Sequence, residues 1–141
     1  MRYVLDTNMV VRLLDGDERV LSHLVDVEPS DVGISLLVFA ELLFGAEKSK
    51  RAEQNRARVN ALTEPGRFRM LHVGLVIVRR YAVVRAELER RGRSKSDFDL
   101  MIACTALEQG ATLVTNDSAL KDGSIEGLVV EDWLEASSAR G

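Results

Sequence analysis

Four acidic residues stand at places in the sequence where carboxylates could perform chemistry together. Asp6 directly follows the short apolar run Tyr3–Leu5, and Asp117 follows another such run near the end of the chain. Glu41 and Asp99 lie within apolar segments, where a lone carboxylate would be costly to bury. Converging carboxylates repel one another unless a proton or a cation intervenes, and oxygen ligands favour Mg²⁺ or Mn²⁺ over Zn²⁺. The four acids therefore predict a cavity suited to Mg²⁺ or Mn²⁺.

Each acid also has an ordinary structural explanation when it is taken alone. Asp6 could cap a helix, and Asp99 could be a second capping residue beside Asp97. Glu41 could pair with an arginine, and Asp117 could belong to a turn. These explanations weaken when the four positions are considered together, because they do not account for acids at several strand and helix ends at once.

Other catalytic chemistries have few residues available. The two histidines, His23 and His72, are expected to be structural or exposed, which leaves little for a serine or cysteine triad. Cys104 lies among Ala103, Thr105 and Ala106 and is expected to be a small buried residue. The phosphate-binding motifs GxxxxGK[ST] and GxGxxG and the zinc motifs CxxC and HExxH do not occur in the sequence.

Alternating strands and helices must position the acids. Short apolar runs predict buried strands at Tyr3–Leu5, Val32–Ser35, Arg69–His72, Ala111–Thr115 and Leu128–Val130. Apolar residues at helical spacing predict helices from a cap at Asp6 or Thr7 to about Gly16, from Val20 to about Val27, from Leu37 to Ala46, from about Ser49 to Leu62, from Leu75 to Arg91 and from about Asp97 to Gln109. This alternation predicts an α/β fold of three layers, with a central, mostly parallel sheet and an inserted helical hairpin. The strand ends then place Asp6 and Asp117 at the same edge of the sheet.

The composition restricts the class of protein. The chain has 141 residues, 46% of them apolar, which fits one domain with its own core. No apolar run is long enough to cross a bilayer, and a charge follows too soon after the N-terminus for a signal peptide. A single cysteine suits a reducing compartment. We therefore expect a cytoplasmic protein without a membrane partner.

The charge is unevenly distributed along the chain. Residues 48–95 carry 14 Lys or Arg and four acids, a local charge of +10, although the whole chain has a net charge of -3. The flanking segments 1–47 and 96–141 carry local charges of -6 and -7. A basic middle beside a cavity of acids could attract a phosphate backbone. Solvated helix faces are the alternative explanation, and it stays open.

Four segments around the acids follow one another in a familiar order and spacing. They are Tyr3–Asn8, Ile34–Gly45, Asp99–Cys104 and Gly110–Asp117. These segments resemble the PIN domain and, within it, the VapC-type toxins of bacterial toxin–antitoxin pairs. The resemblance extends to Trp133 and covers nearly the whole chain, so residues 1–141 are expected to form a single PIN-like domain.

The resemblance implies a role for each acid. Asp6 and Asp99 would be the principal metal ligands, while Glu41 and Asp117 would complete the catalytic site, often through water. Small polar residues are implied as supports around the acids: Thr7, Asn8, Ser35, Thr115 and Asn116.

The chain departs from the family pattern just before the third acid. Many of these toxins carry a Pro-Ile-Gly-like turn there, whereas this chain has Arg93–Phe98. Asp97 is therefore a rival to Asp99. The spacing to Ile102 and Ala103 favours Asp99 as the third acid and leaves Asp97 as the expected helix cap.

The implied function is a Mg²⁺- or Mn²⁺-dependent toxin endoribonuclease that hydrolyses transfer or ribosomal RNA and leaves 5′-phosphate and 3′-hydroxyl ends. The implied partners are a VapB-type antitoxin and a second copy of the chain, with a larger toxin–antitoxin assembly beyond them. Two alternatives stay open: a catalytically silent RNA- or antitoxin-binding module, and a metal-dependent nuclease acting on single-stranded DNA. A phosphoaspartate enzyme of the haloacid-dehalogenase type would need a second acid two residues after Asp6, where this chain has Asn8.

Overall fold

The apolar runs form a five-stranded sheet in the computed structural model, which describes residues 1–135. The strands are β1 (Tyr3–Leu5), β2 (Val32–Ser35), β3 (Arg69–Leu71), β4 (Thr112–Val114) and β5 (Val130–Glu131). Their order is β3-β2-β1-β4-β5, and every neighbouring pair is parallel. The predicted parallel sheet is confirmed.

The central strands are apolar because both of their faces are covered. Val4 and Leu5 of β1 and Leu113 and Val114 of β4 are fully buried, as are all four residues of β2. Strands with one face in water would alternate apolar and polar residues, which these do not. The predicted three-layer α/β/α fold is confirmed.

The covering layers consist of helices whose ends are set by identifiable caps. The helices are α1 (Thr7–Leu14), α2 (Glu18–Leu24), α3 (Leu36–Lys48), α4 (Ala52–Asn60), α5 (Leu75–Arg90), α6 (Asp97–Gln109) and α7 (Ser118–Lys121). Helix α6 ends at Gly110, whose φ of 61° lies in the left-handed region that glycine adopts without strain. Helix α1 packs against α2 and α3, and α5 packs against α6.

The predicted helical hairpin is present between β2 and β3. Helices α3 and α4 pack against each other, and Ser49 forms the turn between them. Its hydroxyl donates to the Ala46 carbonyl and accepts a hydrogen bond from Asn55, and these contacts hold residues 49–51 in a turn between the two helices. Helix α4 therefore begins at Ala52 rather than at Ser49.

Other boundaries also differ from the predictions. Helix α2 ends at Leu24 instead of about Val27, and Val25 beyond it is 77% exposed, so no packing extends the helix. Strand β5 is two residues long and begins at Val130 rather than Leu128. Helix α7 was not predicted, because four residues are too few to show a helical period.

The strand order determines where a ligand can enter. Strand β1 lies at the centre, and the chain builds β2 and β3 on one side of it before returning to place β4 and β5 on the other. The strand order therefore reverses beside β1, and in open parallel sheets the crevice at such a reversal receives ligands.

Among residues 1–135, no helix is long and apolar enough to span a bilayer.

Candidate active site

A cavity of about 340 Å³ opens where the carboxyl ends of β1 and β4 meet helices α3 and α6. Its lining residues come from four separate segments of the chain: Asp6, Thr7, Asn8, Glu41, Asp99, Ile102, Asn116 and Asp117. We call this the acid cavity. It contains all four acids that the sequence singled out, and in the described part of the chain, residues 1–135, neither Lys nor Arg lines it.

Asp6 is held rigidly at the junction of β1 and α1. Its backbone amide donates to the Val114 carbonyl over 3.1 Å, which continues the pairing of β1 with β4. One carboxylate oxygen accepts from the Met9 amide at 3.0 Å and caps α1, while the other accepts from the Thr115 hydroxyl. The side chain therefore acts as a helix cap and also lines the acid cavity.

The surroundings of Asp6 oppose its ionisation. Only 7% of the residue is exposed, and burial raises the pKa of its carboxyl group. The Thr115 and Met9 hydrogen bonds act in the opposite direction, whereas the nearby charges of Asp99 and Asp117 raise the pKa further. The net pKa of Asp6 is above its usual value.

Asp99 lies in the first turn of α6. Ser96 caps this helix by accepting a hydrogen bond from the Asp99 amide at 3.2 Å. Burial raises the pKa of the Asp99 carboxyl group, and the negative charges of Asp117 and Glu41 raise it as well. Asp99 is therefore within electrostatic range of acids from two other elements.

Asp97 does not share this environment. It accepts a hydrogen bond from the Tyr81 hydroxyl at 2.7 Å and pairs with Arg85 at 3.1 Å, both on α5. It is not among the residues that line the acid cavity. The expectation that Asp97 caps α6 was wrong, because Ser96 occupies the capping position and its shorter side chain reaches the Asp99 amide.

Glu41 reaches the acid cavity from the second turn of α3. The Thr7 hydroxyl donates to its carboxylate at 2.7 Å, which joins α3 to the start of α1. Pairing with an arginine was the structural alternative for this residue, and in residues 1–135 no arginine lies within ion-pair distance of it.

Asp117 occupies the same edge of the sheet after β4. Its carboxylate caps the short helix α7 by accepting from the Ala119 amide at 2.9 Å. Its own amide donates to the Thr115 hydroxyl oxygen at 3.0 Å. Since that hydroxyl donates to Asp6, Thr115 joins the two acids through one oxygen atom.

The remaining predicted supports divide into two groups. Asn8 donates to Asn116 at 2.9 Å across the cavity, which ties the start of α1 to the loop after β4. Ser35 is buried and caps α3 by accepting from the Leu37 amide at 3.1 Å, but it does not line the acid cavity. Ser35 therefore stabilises the start of α3, the helix that carries Glu41, and does not itself line the cavity.

One lining residue was not anticipated. Ile102 is 2% exposed and forms the apolar wall of the cavity. A signal was available in the sequence, since Ile102 follows Asp99 by three positions and so lies on the same face of α6.

Residues that other chemistries would need lie elsewhere. His23 is exposed and stacks on Trp133, with ring centroids 4.8 Å apart, and His72 is exposed. Cys104 is fully buried, and burial raises the pKa of its thiol to about 11. Within the described ranges, no three His, Cys, Asp or Glu side chains are gathered closely enough to ligate one ion directly.

Known proteins share both the sequence pattern and the fold. The family model described as the PIN domain matches residues 3–125. Ribonuclease VapC2 of Rickettsia felis is 32% identical over 94% of this chain and 98% of its own length. The tRNA(fMet)-specific endonuclease VapC of Shigella flexneri is 30% identical over 94% of this chain and 98% of its own length.

A solved structure agrees with these relatives. The chain superimposes on the DNA-bound VapBC structure from Salmonella typhimurium with a TM-score of 0.84 and 30% identity, covering 94% of this chain and 98% of that one. The match includes β1, α3, α6 and β4, the elements that surround the acid cavity. This chain belongs to the PIN domain family and, within it, to the VapC ribonucleases.

Proposed function

We propose that this chain is a toxin endoribonuclease that hydrolyses RNA phosphodiester bonds with the carboxylates of the acid cavity. One observation carries the proposal: Asp6, Glu41, Asp99 and Asp117 come from four distant segments and line one opening. The names of the VapC relatives, a ribonuclease and a tRNA(fMet)-specific endonuclease, support it. The proposed substrates are transfer or ribosomal RNA, and the proposed site of action is therefore the cytoplasm.

The donor groups of the acid cavity fit a divalent cation. They are carboxylate, amide and hydroxyl oxygens, which suit Mg²⁺ or Mn²⁺. Asp6 and Asp99 are the proposed principal ligands, because burial and neighbouring acids raise the pKa of both and a bound cation would stabilise their ionised forms. Glu41 and Asp117 are proposed to act through water. When bound, the ion would activate water as the attacking group and offset charge on the phosphate.

Hydrogen bonds prepare the carboxylates for this task. Thr115 and the Met9 amide fix the two oxygens of Asp6, and Thr7 fixes one oxygen of Glu41. Asp6 and Glu41 are therefore oriented before substrate arrives, which limits the reorganisation needed during the reaction. Because water is the proposed attacking group, the products should carry 5′-phosphate and 3′-hydroxyl ends.

The basic segment 48–95 is proposed to hold the RNA backbone. It carries a local charge of +10 and includes α4 and α5, with many of its arginine side chains exposed. By attracting the RNA phosphates, these side chains would bring the RNA close to the acids, which would otherwise repel it.

A VapB-type antitoxin is the proposed protein partner, together with a second copy of this chain and a larger assembly of both. The matched structure from Salmonella typhimurium is a VapBC complex bound to DNA, which supports this assembly. Helix α5 offers apolar side chains for such contacts, since Leu75, Val76 and Val83 are 63%, 56% and 69% exposed.

A comparison of two neighbouring aspartates tests the proposed function. The purified chain, Asp99→Asn and Asp97→Asn would each be incubated with total bacterial RNA and Mg²⁺ or Mn²⁺, with an EDTA control and a parallel single-stranded DNA arm. Asp99→Asn should reduce cleavage at least about 1,000-fold, as expected for loss of a group needed in the transition state. Asp97→Asn, the matched control, should remain within about threefold of the original chain, because Asp97 contacts α5 and not the acid cavity.

Asp6→Asn should behave like Asp99→Asn, and product sequencing should find 5′-phosphate ends. Cleavage that persists in both variants would refute the assignment of the acids. Preferential cleavage of the single-stranded DNA arm would instead favour a DNA nuclease, and loss of activity in Asp97→Asn alone would transfer the third-acid role to that residue.

A further inference from the structure

A second cavity of about 270 Å³ lies directly beside the acid cavity, between α1 and the α3–α4 hairpin. The two cavities share Thr7 and Glu41, whose hydrogen bond of 2.7 Å forms their common wall. We call this second opening the hairpin cavity. A group bound in it would lie next to whatever occupies the acid cavity.

The walls of the hairpin cavity are apolar and its rim is polar. Leu14, Leu42, Ala46 and Val59 form the apolar part, and the last three are nearly fully buried. Asn55 stands among them, with its amide held by a hydrogen bond to Ser49 at 2.9 Å. An amide can both donate to and accept from a polar edge. Apolar faces with polar groups at the edge are what a nucleobase requires.

The positively charged side chain of Arg58 lies at the mouth of the hairpin cavity. Arg58 donates to the Leu14 carbonyl and lies 3.4 Å from a carboxylate oxygen of Asp15, while its side chain remains 47% exposed. An exposed guanidinium at this position suits a phosphate oxygen of a passing backbone. Arg58 therefore offers one positively charged group to a phosphate, beside the carboxylates of Asp15 and Glu41 in the same lining.

We propose that the hairpin cavity is a nucleobase subsite, which receives the unstacked base of a nucleotide adjoining the cleaved phosphate. This inference rests on the proposed function, because that function places the phosphate in the acid cavity behind the shared wall. Among residues 1–135, none of those that line the hairpin cavity is aromatic, so the base is held by shape and by edge contacts. Because the two cavities adjoin at Thr7 and Glu41, the base of a nucleotide next to the cleaved phosphate can reach the hairpin cavity, which favours a base over a protein side chain as the occupant.

Gly45 offers a way to fill the hairpin cavity without disturbing the fold. It lies within α3 and lines the cavity, and a Cβ atom built there would meet nothing within 4 Å. Replacing a glycine inside a helix also favours the helical state. Gly45→Leu should therefore fold and occupy the space of the base.

Mapping of RNA ends tests the subsite. The full chain, Gly45→Ala, Gly45→Leu and the matched control Ala57→Leu, an exposed position on α4 outside the cavity, would cleave total bacterial RNA with Mn²⁺. Sequencing of the new 5′ ends gives the base preference at each position. Gly45→Leu should lose the preference at one position beside the cut and cleave the original sites about 10-fold more slowly, as expected for the loss of one hydrogen bond to the edge of the base. Gly45→Ala should show a smaller change, and Ala57→Leu should match the original chain.

Three results would overturn the subsite: an unchanged profile in Gly45→Leu, a slower rate without any change in preference, or unaltered cleavage combined with loss of inhibition by the antitoxin. The last result would assign the cavity to a protein partner.

Should the original chain not cleave RNA, the proposed function fails, and a binding measurement decides the subsite alone. Nucleoside 5′-monophosphates should then shift the methyl resonances of Leu42 and Val59 where inorganic phosphate does not, and equal shifts would reject it. If Gly45→Leu does not melt cooperatively and is therefore unfolded, the same titration of the original chain tests the subsite instead.

Discussion

The acids at the centre of this protein are held where their negative charge is unfavourable. Burial is the largest cause of the raised pKa at Asp6 and at Asp99, and neighbouring acids add to it. The hydrogen bonds from Thr115 and Met9 offset only part of this effect at Asp6. Before a cation binds, these side chains therefore reduce the stability of the folded chain at neutral pH.

Asp99→Asn should consequently stabilise the metal-free chain while it abolishes activity. Because the folded pKa of Asp99 is raised, its ionised form costs stability at neutral pH, and this cost disappears as the pH falls below the unfolded value of about 3.9. Because solvent screens a carboxylate that is only partly buried, we expect the variant to gain less than about 1 kcal/mol at pH 7 and nothing near pH 3.5. Urea unfolding in EDTA at both pH values measures the difference.

The control for this prediction is Asp97→Asn, which loses its ion pair with Arg85 and should gain no stability at either pH. A metal-free Asp99→Asn chain that is less stable than the original at pH 7 would contradict the electrostatic account. Added Mg²⁺ or Mn²⁺ should also raise the melting temperature of the original chain more than that of Asp99→Asn.

At the scale of elements, the loop before α6 and the helix after β4 are fastened to each other. The side chain of Lys95 is only 3% exposed, and its ammonium group donates to the Ala119 carbonyl and, at 2.9 Å, to Asp122. Lys95 precedes the helix that carries Asp99. Ala119 lies in α7 and Asp122 directly follows it, while Asp117 caps the start of α7. This contact relates the positions of two acids that belong to different elements.

Lys95→Met should loosen this connection. The methionine keeps the apolar stem but removes the donor to the Ala119 carbonyl and one of the donors to Asp122, which keeps its hydrogen bonds from Ser124. We expect this change to cost about 1–3 kcal/mol at pH 7. Hydrogen bonds from Ser124 and Lys95 hold the pKa of Asp122 below its usual range. Its contribution is therefore present above the unfolded pKa of about 3.9 and is lost as the pH falls through the lower folded pKa. Urea unfolding at pH 7 and pH 2.5 should show the loss shrinking in acid.

Arg93→Met is the matched control for this prediction. Arg93 lies 3.7 Å from the same Asp122, but its side chain is 58% exposed, so its removal should cost less than about 1 kcal/mol. Equal losses in the two variants would show that the burial of Lys95 is unimportant.

Over the whole molecule, two regions of opposite charge lie near each other. As far as the structure describes the chain, neither Lys nor Arg lines the acid cavity, whereas segment 48–95 carries a local charge of +10. Arg58 stands where they meet, at the rim of the hairpin cavity beside Glu41. The sheet places the acids at its carboxyl edge, and the inserted hairpin brings part of the basic segment to that edge.

RNA binding by the chain should therefore weaken steeply with salt. Asp6→Asn allows binding to be measured without cleavage, by fluorescence anisotropy with a labelled single-stranded RNA. The logarithm of affinity falls with that of salt by about 0.7 per phosphate contact, so four contacts would weaken binding about 50-fold between about 50 and 200 mM KCl. Arg58→Gln should reduce the slope by about one contact. A flat salt dependence would show that the basic segment is only a solvated surface.

The elements were predictable where local patterns are strong. The runs that became β1 and β2 and the helical spacing of α5 and α6 needed no knowledge of the fold, because buried strands and packed helices show their own periods. The early end of α2 and the short helix α7 were missed, since their limits depend on a few capping contacts. The prediction that Asp97 caps α6 was wrong for the same reason, because the capping contact is made by Ser96.

The sequence by itself determined the family, the parallel α/β fold and the identity of the four acids, since each is written in short segments that keep their order and spacing. The tertiary structure decided which groups meet. Thr115 reaches Asp6 across 109 positions, and Asn8 reaches Asn116 across 108, because β4 returns to lie beside β1. The wall shared by the acid and hairpin cavities likewise exists only where α1 and α3 pack together. Contacts between distant segments depend on strand order, and a local pattern of residues does not encode which strands become neighbours.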